Sequence, residues 1–209
     1  MAETVHLFDA FLKLDGIKGE SADHKHKGDI DVLNFGWGMS QTGSQATGGG
    51  GGTGRVQVHD LCVIKNTDVS SPLLMLRCAD GTHIKEATLT VRKAGGEQLE
   101  YLKIKLTDVL ISGIKPWHTG GGSLGAESTG GLRKRPDGSG GGNLGLDEWT
   151  TEFHDSWRQN LTSSDETPME FLSLNFSKVE MTYQTQGADG KAKGGPILAG
   201  WDVKANQKI

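Results

Sequence analysis

The chain has 209 residues, with 22 lysines and arginines against 26 aspartates and glutamates and a net charge of −4. That balance offers no general basic field for nucleic acid, and no apolar run approaches the roughly 18–20 residues a membrane helix needs. The length suits a single β-domain with a decorated loop, spanning residues 1–209.

The first residues, Met1-Ala-Glu-Thr-Val-His-Leu-Phe-Asp9, are acidic and turn directly into strand pattern. With no basic or apolar leader region, the chain is expected to be made in the cytosol and to leave, if it leaves, without a cleaved signal. Val5–Asp15 alternates, with Phe8, Ala10, Leu12 and Leu14 on one face. Phe11 falls on the other, wet face and is a candidate subunit contact. Ile17–Gly28 is polar and turn-rich. Its His24 and His26 share a strand-like spacing but have no third ligand nearby, so the segment reads as a solvated loop and not as a metal site.

Asp29–Met39 is a strand whose apolar phase flips between Val32 and Leu33, and Val56–Val63 flips in the same way near His59. Displaced phases of this kind mark bulges in a strongly coiled sheet, as in a small closed barrel. Between them lies Ser40–Gly54, rich in glycine. Gly49 and Gly54 have phosphate-loop spacing, but Arg55-Val56 follows where Lys-Ser/Thr is required, and no helix comes next. A long hairpin loop suited to contacts is the better reading.

Ser71–Gly81 reads as a short helix, with Ser71 as N-cap, Pro72 in the first turn and Gly81 as the stop. Leu73, Leu74 and Leu76 are expected to bury against the sheet. Cys62 and Cys78 lack metal or redox spacing and read as buried thiols. Glu86–Ile111 is the clearest hairpin in the chain: Ala87, Leu89 and Val91 face Leu102, Ile104 and Leu106 across a turn at Ala94–Glu97. Met169–Tyr183 is another strand, with a phase slip at Ser177-Lys178, and Ile197–Val203 is the last. Seven or so strands and one helix make the expected fold class all-β, a barrel or a sandwich.

Several segments taken in order resemble one family: Lys18-Gly-Glu-Ser21, Trp37-Gly-Met-Ser-Gln41 with its glycine loop, the Ser71-Pro72 helix start, Arg92-Lys-Ala-Gly-Gly-Glu97 with Tyr101-Leu102, and Gly200-Trp201. They resemble Hcp, the tube protein of type VI secretion. The resemblance implies a compact antiparallel β-barrel of two packed sheets with one lateral α-helix. Such barrels close into hexameric rings stacked into a tube, sheathed by a contractile sheath and tipped by a VgrG-type spike. The resemblance further implies effectors in the lumen, assembly in the cytoplasm, export of the tube protein itself, no enzymatic activity and no cofactor. Ring and stacking contacts are then expected at Phe11, Leu198 and the loop residues Thr47, Gly48, Gly49, Gly50, Gly51 and Gly52.

Residues 113–167 exceed the short hairpin connection the family carries there and read as an inserted glycine-rich loop plus helix. The helix is expected around Asp147–Leu161, where Trp149, Phe153 and Trp157 recur at four-residue intervals and form an aromatic contact stripe. Glu152, His154 and Asp155 do not converge on such a helix and form its wet face. Two other readings stay open: an insert that adds an effector activity, and a stand-alone β-barrel binding module.

Overall fold

The computed structural model describes residues 8–41, 55–93, 98–117, 168–187 and 190–209. Among these, the elements in chain order are β1 (Phe8–Leu14), β2 (Ile30–Val32), β3 (Asn34–Gly36), β4 (Met39–Ser40), β5 (Gln57–Val58), β6 (Leu61–Asn66), α1 (Ser71–Asp80), β7 (Ile84–Lys93), β8 (Glu100–Trp117), β9 (Met169–Tyr183), β10 (Ile197–Asp202) and β11 (Gln207–Lys208). The expected hairpin is present as β7–β8, with Ala87 opposite Leu106, Leu89 opposite Ile104 and Val91 opposite Leu102. Its turn at 94–97 lies outside the described residues.

Pairing is antiparallel and runs β11-β10-β9-β8-β7-β1-β2, while β9 also pairs β6, and β6 pairs β3. Only Leu33 separates β2 from β3, and its N–H donates to the Ile64 carbonyl at 2.8 Å. The path β1-β7-β8-β9-β6-β3-β2 therefore closes on itself as a barrel. The phase flip read at Leu33 is the point where one strand leaves β1 and joins β6.

The slip at Ser177-Lys178 has a wider cause. On β9 the inward residues jump from Phe176 to Val179, on β8 from Val109 to Leu106, and on β7 from Ile84 to Ala87, while cross-strand register holds. Three neighbouring strands thus change phase along one line, and Asp108 on that line takes φ +56°. This is a corner at which long strands pass from one sheet to the other. Leu12, Leu89, Leu106, Leu61, Leu172 and Leu174 fill the space between the sheets and are fully buried.

Helix α1 packs against β8. Leu74 is fully buried and Leu73 packs on the core, but Leu76 points outward at 51 % exposure, as does Met75 at 60 %. The expectation that Leu76 faces the sheet is therefore corrected: one buried turn suffices to hold the helix. The N-cap is Ser70, one residue earlier than expected, and Gly81 stops the helix in the left-handed region at φ +67°. Ser71 instead turns its hydroxyl inward. Of the two cysteines, Cys62 is fully buried and Cys78 only half-buried.

Residues 113–117 are also corrected. They are not loop but the end of β8, paired as far as Trp117 opposite Met169, so the connection between the two strands spans 118–168. The predicted helix there, with Trp149, Phe153 and Trp157, lies outside the described residues.

Candidate assembly surfaces

Two polar clusters fix the barrel's shape. At the α1 end, Lys65 is fully buried on the core face of β6. Its Nζ donates to Glu170 Oε2 at 2.9 Å, the Asn66 carbonyl at 2.7 Å and Ser71 Oγ at 3.2 Å, and lies 2.9 Å from Asp68 Oδ1. Ser71 Oγ donates to Glu170 Oε2 at 2.8 Å. A buried ammonium is tolerated only when it is paired and its protons are satisfied. Here β6, β9 and the first turn of α1 each supply part of the cage, which fixes where the helix begins. Sequence periodicity missed it; the signal was a lysine in phase with Leu61 and Val63.

The second cluster covers the outer face of β1 and β7. Residues 18–29 cross that face as a strap tied by Gly19 N–H to the Gly28 carbonyl (2.8 Å), Gly28 N–H to the Ser21 carbonyl (2.8 Å) and Ser21 N–H to the Asp29 carbonyl (3.0 Å). The His26 ring stacks on Phe11 with centroids 4.2 Å apart and planes 7° apart, and the Arg92 guanidinium lies 4.8 Å above the Phe11 ring. Phe11 and His26 are both buried. The expectations for both are corrected: Phe11 is used inside the protomer, and His26 is not part of a solvated loop, although His24 is exposed.

Arg92 Nε donates to Asp9 Oδ2 at 2.9 Å and Nη2 to Asp23 Oδ2 at 2.5 Å. The Arg92 hydrogen bond holds the Asp23 carboxyl down to about 2. Burial works against the Arg92 charge, and the hydrogen bonds to Asp23 and Asp9 more than offset it. His26 Nδ1 lies 2.9 Å from Asp29 Oδ2, and Nε2 stands 3.3 Å from Glu100 Oε1 without the alignment of a hydrogen bond. Burial pushes the Glu100 carboxyl up, but Lys103 and His26 outweigh it and hold it low.

A third group pins the β5–β6 turn. Asp60 accepts hydrogen bonds from Ser112 Oγ, from Ser173 Oγ at 3.0 Å and from Asn175 Nδ2 at 2.7 Å. It spans the register shift between Ile111 and Gly113. On the corner line, Asp108 accepts from Lys204 Nζ at 2.6 Å and pairs with His83 Nδ1 at 2.6 Å, contacts that hold its carboxyl at about 2.

What remains is the apolar surface. β10 begins exposed on both faces, with Ile197 at 66 % and Leu198 at 65 %, and ends at the buried Asp202. Leu198, expected as a contact from its place on a polar face, is solvent-facing as that reading requires. Ile197, Ala199 and Trp201 pair with Tyr183, Met181 and Val179, so they continue the barrel's inner face onto a strand the second sheet does not cover. Trp37 and Met39 lean over this strip and enclose an apolar groove of about 280 Å³. A second apolar patch lies on α1, formed by Val69, Met75 and Leu76. The remaining expected contacts, Thr47 to Gly52, lie outside the described residues.

This architecture has relatives. Residues 11–183 match the family model described as type VI secretion system effector, Hcp. Protein hcp1 of Pseudomonas aeruginosa is 42% identical over 199 residues, covering 95% of this chain and 96% of that protein. The chain belongs to the Hcp family. Hcp1 from Salmonella typhimurium has a similar structure, at TM-score 0.62 and 30% identity over 98% of this chain and 100% of that one. A structure titled as a type six secretion system protein superposes at TM-score 0.73 with 25% identity, covering 97% of this chain and 99% of that one. As an Hcp protein, the chain belongs to type VI secretion.

Proposed function

We propose that this protein is a structural subunit of the type VI secretion inner tube. It closes into hexameric rings that stack, carries effectors in the lumen and is exported with them. The identity to an Hcp relative along nearly the whole chain carries this reading, and the barrel with two separate apolar patches supports it. A chain with different patches in different places associates head to tail, and such contacts close into rings when the rotation closes. A contractile sheath outside, a VgrG-type spike at the tip and effector proteins inside are the partners this role requires. The protein would assemble in the cytoplasm and act outside it.

In this reading residues 1–209 form one domain with the 113–167 region, strand to Trp117 and connection beyond it, as its decoration. Thr47 to Gly52 make the contact between stacked rings. Glycine-rich segments lose much backbone entropy on ordering, which keeps such stacking reversible.

Native mass spectrometry of the purified protein should give a six-subunit species. A monomer or dimer at every concentration would overturn the tube reading and favour a binding module. Trimming Gly48–Gly52 should leave the rings intact and shorten or abolish tubes in electron micrographs. Unchanged tubes would remove the loop from the stacking contact.

A further inference from the structure

The outer side of the barrel sheet is polar over β1, β7 and the middle of β8, and apolar over one other stretch. Across the polar part, Lys13, Thr88, Lys105 and Glu180 stand side by side on neighbouring strands. Where β3, β6, β9 and the end of β8 run together, the corresponding row is Asn34, Ile64, Phe171 and Lys115. The row beside it is Gly36, Cys62, Ser173 and Gly113. Leu61 and Val63 face the core, so Cys62 and Ile64 make β6 a continuous apolar run. That is the pattern of a strand covered on both sides.

Burial follows the pattern. Cys62, Ile64, Phe171 and Ser173 are 0 % exposed, and Asn34, Gly36, Gly113 and Lys115 around them are half-buried. Yet the described elements packed most closely on β6 and β9 are β2, β3, β8 and β10, strands of the same sheet. Sheet neighbours lie beside such side chains and not above them. Ser173 spends its hydroxyl on Asp60 and Ser112, which leaves Ile64 and Phe171 as the apolar centre. Glycines in the flanking row let another element approach the strands closely.

Five stretches of chain lie outside the described residues, and composition separates them. Residues 94–97 and 188–189 are too short to span several strands. Residues 42–54 hold Ala46 and glycines as their apolar content, and residues 1–7 bring no aromatic ring. Residues 118–167 carry Trp149, Phe153, Trp157 and Leu161 at four-residue intervals, the spacing of one helix face. Both ends of this stretch are fixed at the patch, because Trp117 pairs with Met169, two residues from Phe171.

We propose that the Trp149, Phe153 and Trp157 stripe docks on the outer face of β6 and β9, over Ile64 and Phe171. The insertion is then a second layer on its own barrel. Docking removes apolar surface from water on both partners and gives a long connection a fixed seat. The contact lies within one chain and does not depend on ring closure.

The test uses the full chain with Cys78→Ser, which leaves Cys62 as its only thiol, and a water-soluble maleimide whose uptake is followed by mass. The parent should react slowly. Trp149→Ser, Phe153→Ser and Trp157→Ser combined should speed the reaction at least about tenfold, while Val5→Ser with Leu7→Ser should leave it unchanged. A stripe variant that reacts at the parent rate overturns the proposal. Acceleration by the N-terminal variant instead would give the face to residues 1–7, and a parent rate that rises on dilution would give it to a second copy; either result overturns it. Hydrogen exchange supplies a measurement that leaves the stripe intact. Amides of residues 147–161 should exchange slowly in the parent and at least about tenfold faster in Ile64→Ser, with β7 protected as in the parent. Fast exchange there in the parent, or parent-like exchange in Ile64→Ser, overturns the docking.

Discussion

The two halves of β9 carry the same kind of sequence and meet opposite fates. From Met169 to Leu174 the strand lies between β6 and β8, and every side chain is buried. From Val179 to Tyr183 the alternation continues, yet Tyr183 is 46 % exposed and its neighbour on β10, Ile197, is 66 % exposed. The difference is one of partners. The first half is flanked by β6 and β8 and faces the opposing sheet, while the second runs past the corner at Asp108 beside β10, which begins exposed among the described residues. Alternation decides which way a side chain points, but not whether anything stands opposite it.

The comparison breaks most visibly at the closed half. Lys65→Met leaves Glu170 buried and uncompensated, and should cost about 3–5 kcal/mol in urea unfolding. The double variant Lys65→Met/Glu170→Leu should recover most of that loss. A single variant as stable as the parent would mean that the cage is not what holds the α1 end. Leu172→Ala, fully buried in the same half, should cost about 2–5 kcal/mol, whereas Ile197→Ser in the open half should stay within about 0.5 kcal/mol of the parent. Comparable losses at both sites would show that the open half is covered within the protomer after all.

The strap sharpens the picture at a smaller scale. A Cβ at Gly19 would stand 2.4 Å from the Asp29 carbonyl oxygen, so Gly19→Ala should cost about 1–3 kcal/mol. It should also raise hydrogen exchange across residues 18–29, and parent-like exchange would count against a tight fit.

The smallest effect concerns pH. The Asp23 carboxyl is held at about 2 by Arg92, below its unfolded value near 3.9. Its contribution is therefore complete above pH about 4 and is lost as pH falls towards 2. Asp23→Asn should be less stable than the parent at neutral pH and should flatten the stability profile across that window. An unchanged slope would detach Asp23 from acid unfolding.

Much of this was legible in the residues. The β7–β8 hairpin followed from strict alternation, and the phase slips marked changes in the chain's course: Leu33 a change of partner, Ser177-Lys178 a corner, and the slip near His59 the passage from β5 to β6 in another sheet. Leu198 stood out because an apolar residue occupied a polar face. Other features were not legible, for one physical reason. Phe11 has the position of an exposed aromatic and is buried because the strap of residues 18–29 folds back and lays His26 on it. Leu76 has the position of a core residue and is exposed because one turn of α1 completes the seal. Lys65 and Arg92 look like surface charges until their carboxylate partners, Glu170 and Asp23, arrive from distant segments.

Local order thus came from the chain alone: which stretches extend, which one coils, where the pleat changes phase and which family the ordered segments belong to. Those properties depend on neighbours within a few residues, where side-chain period and backbone preference act. Exposure and charge pairing were decided only in three dimensions. They depend on which surfaces meet from distant parts of the chain, 69 residues apart for Arg92 and Asp23 and 105 for Lys65 and Glu170, and burial is a property of a pair of surfaces, not of either one.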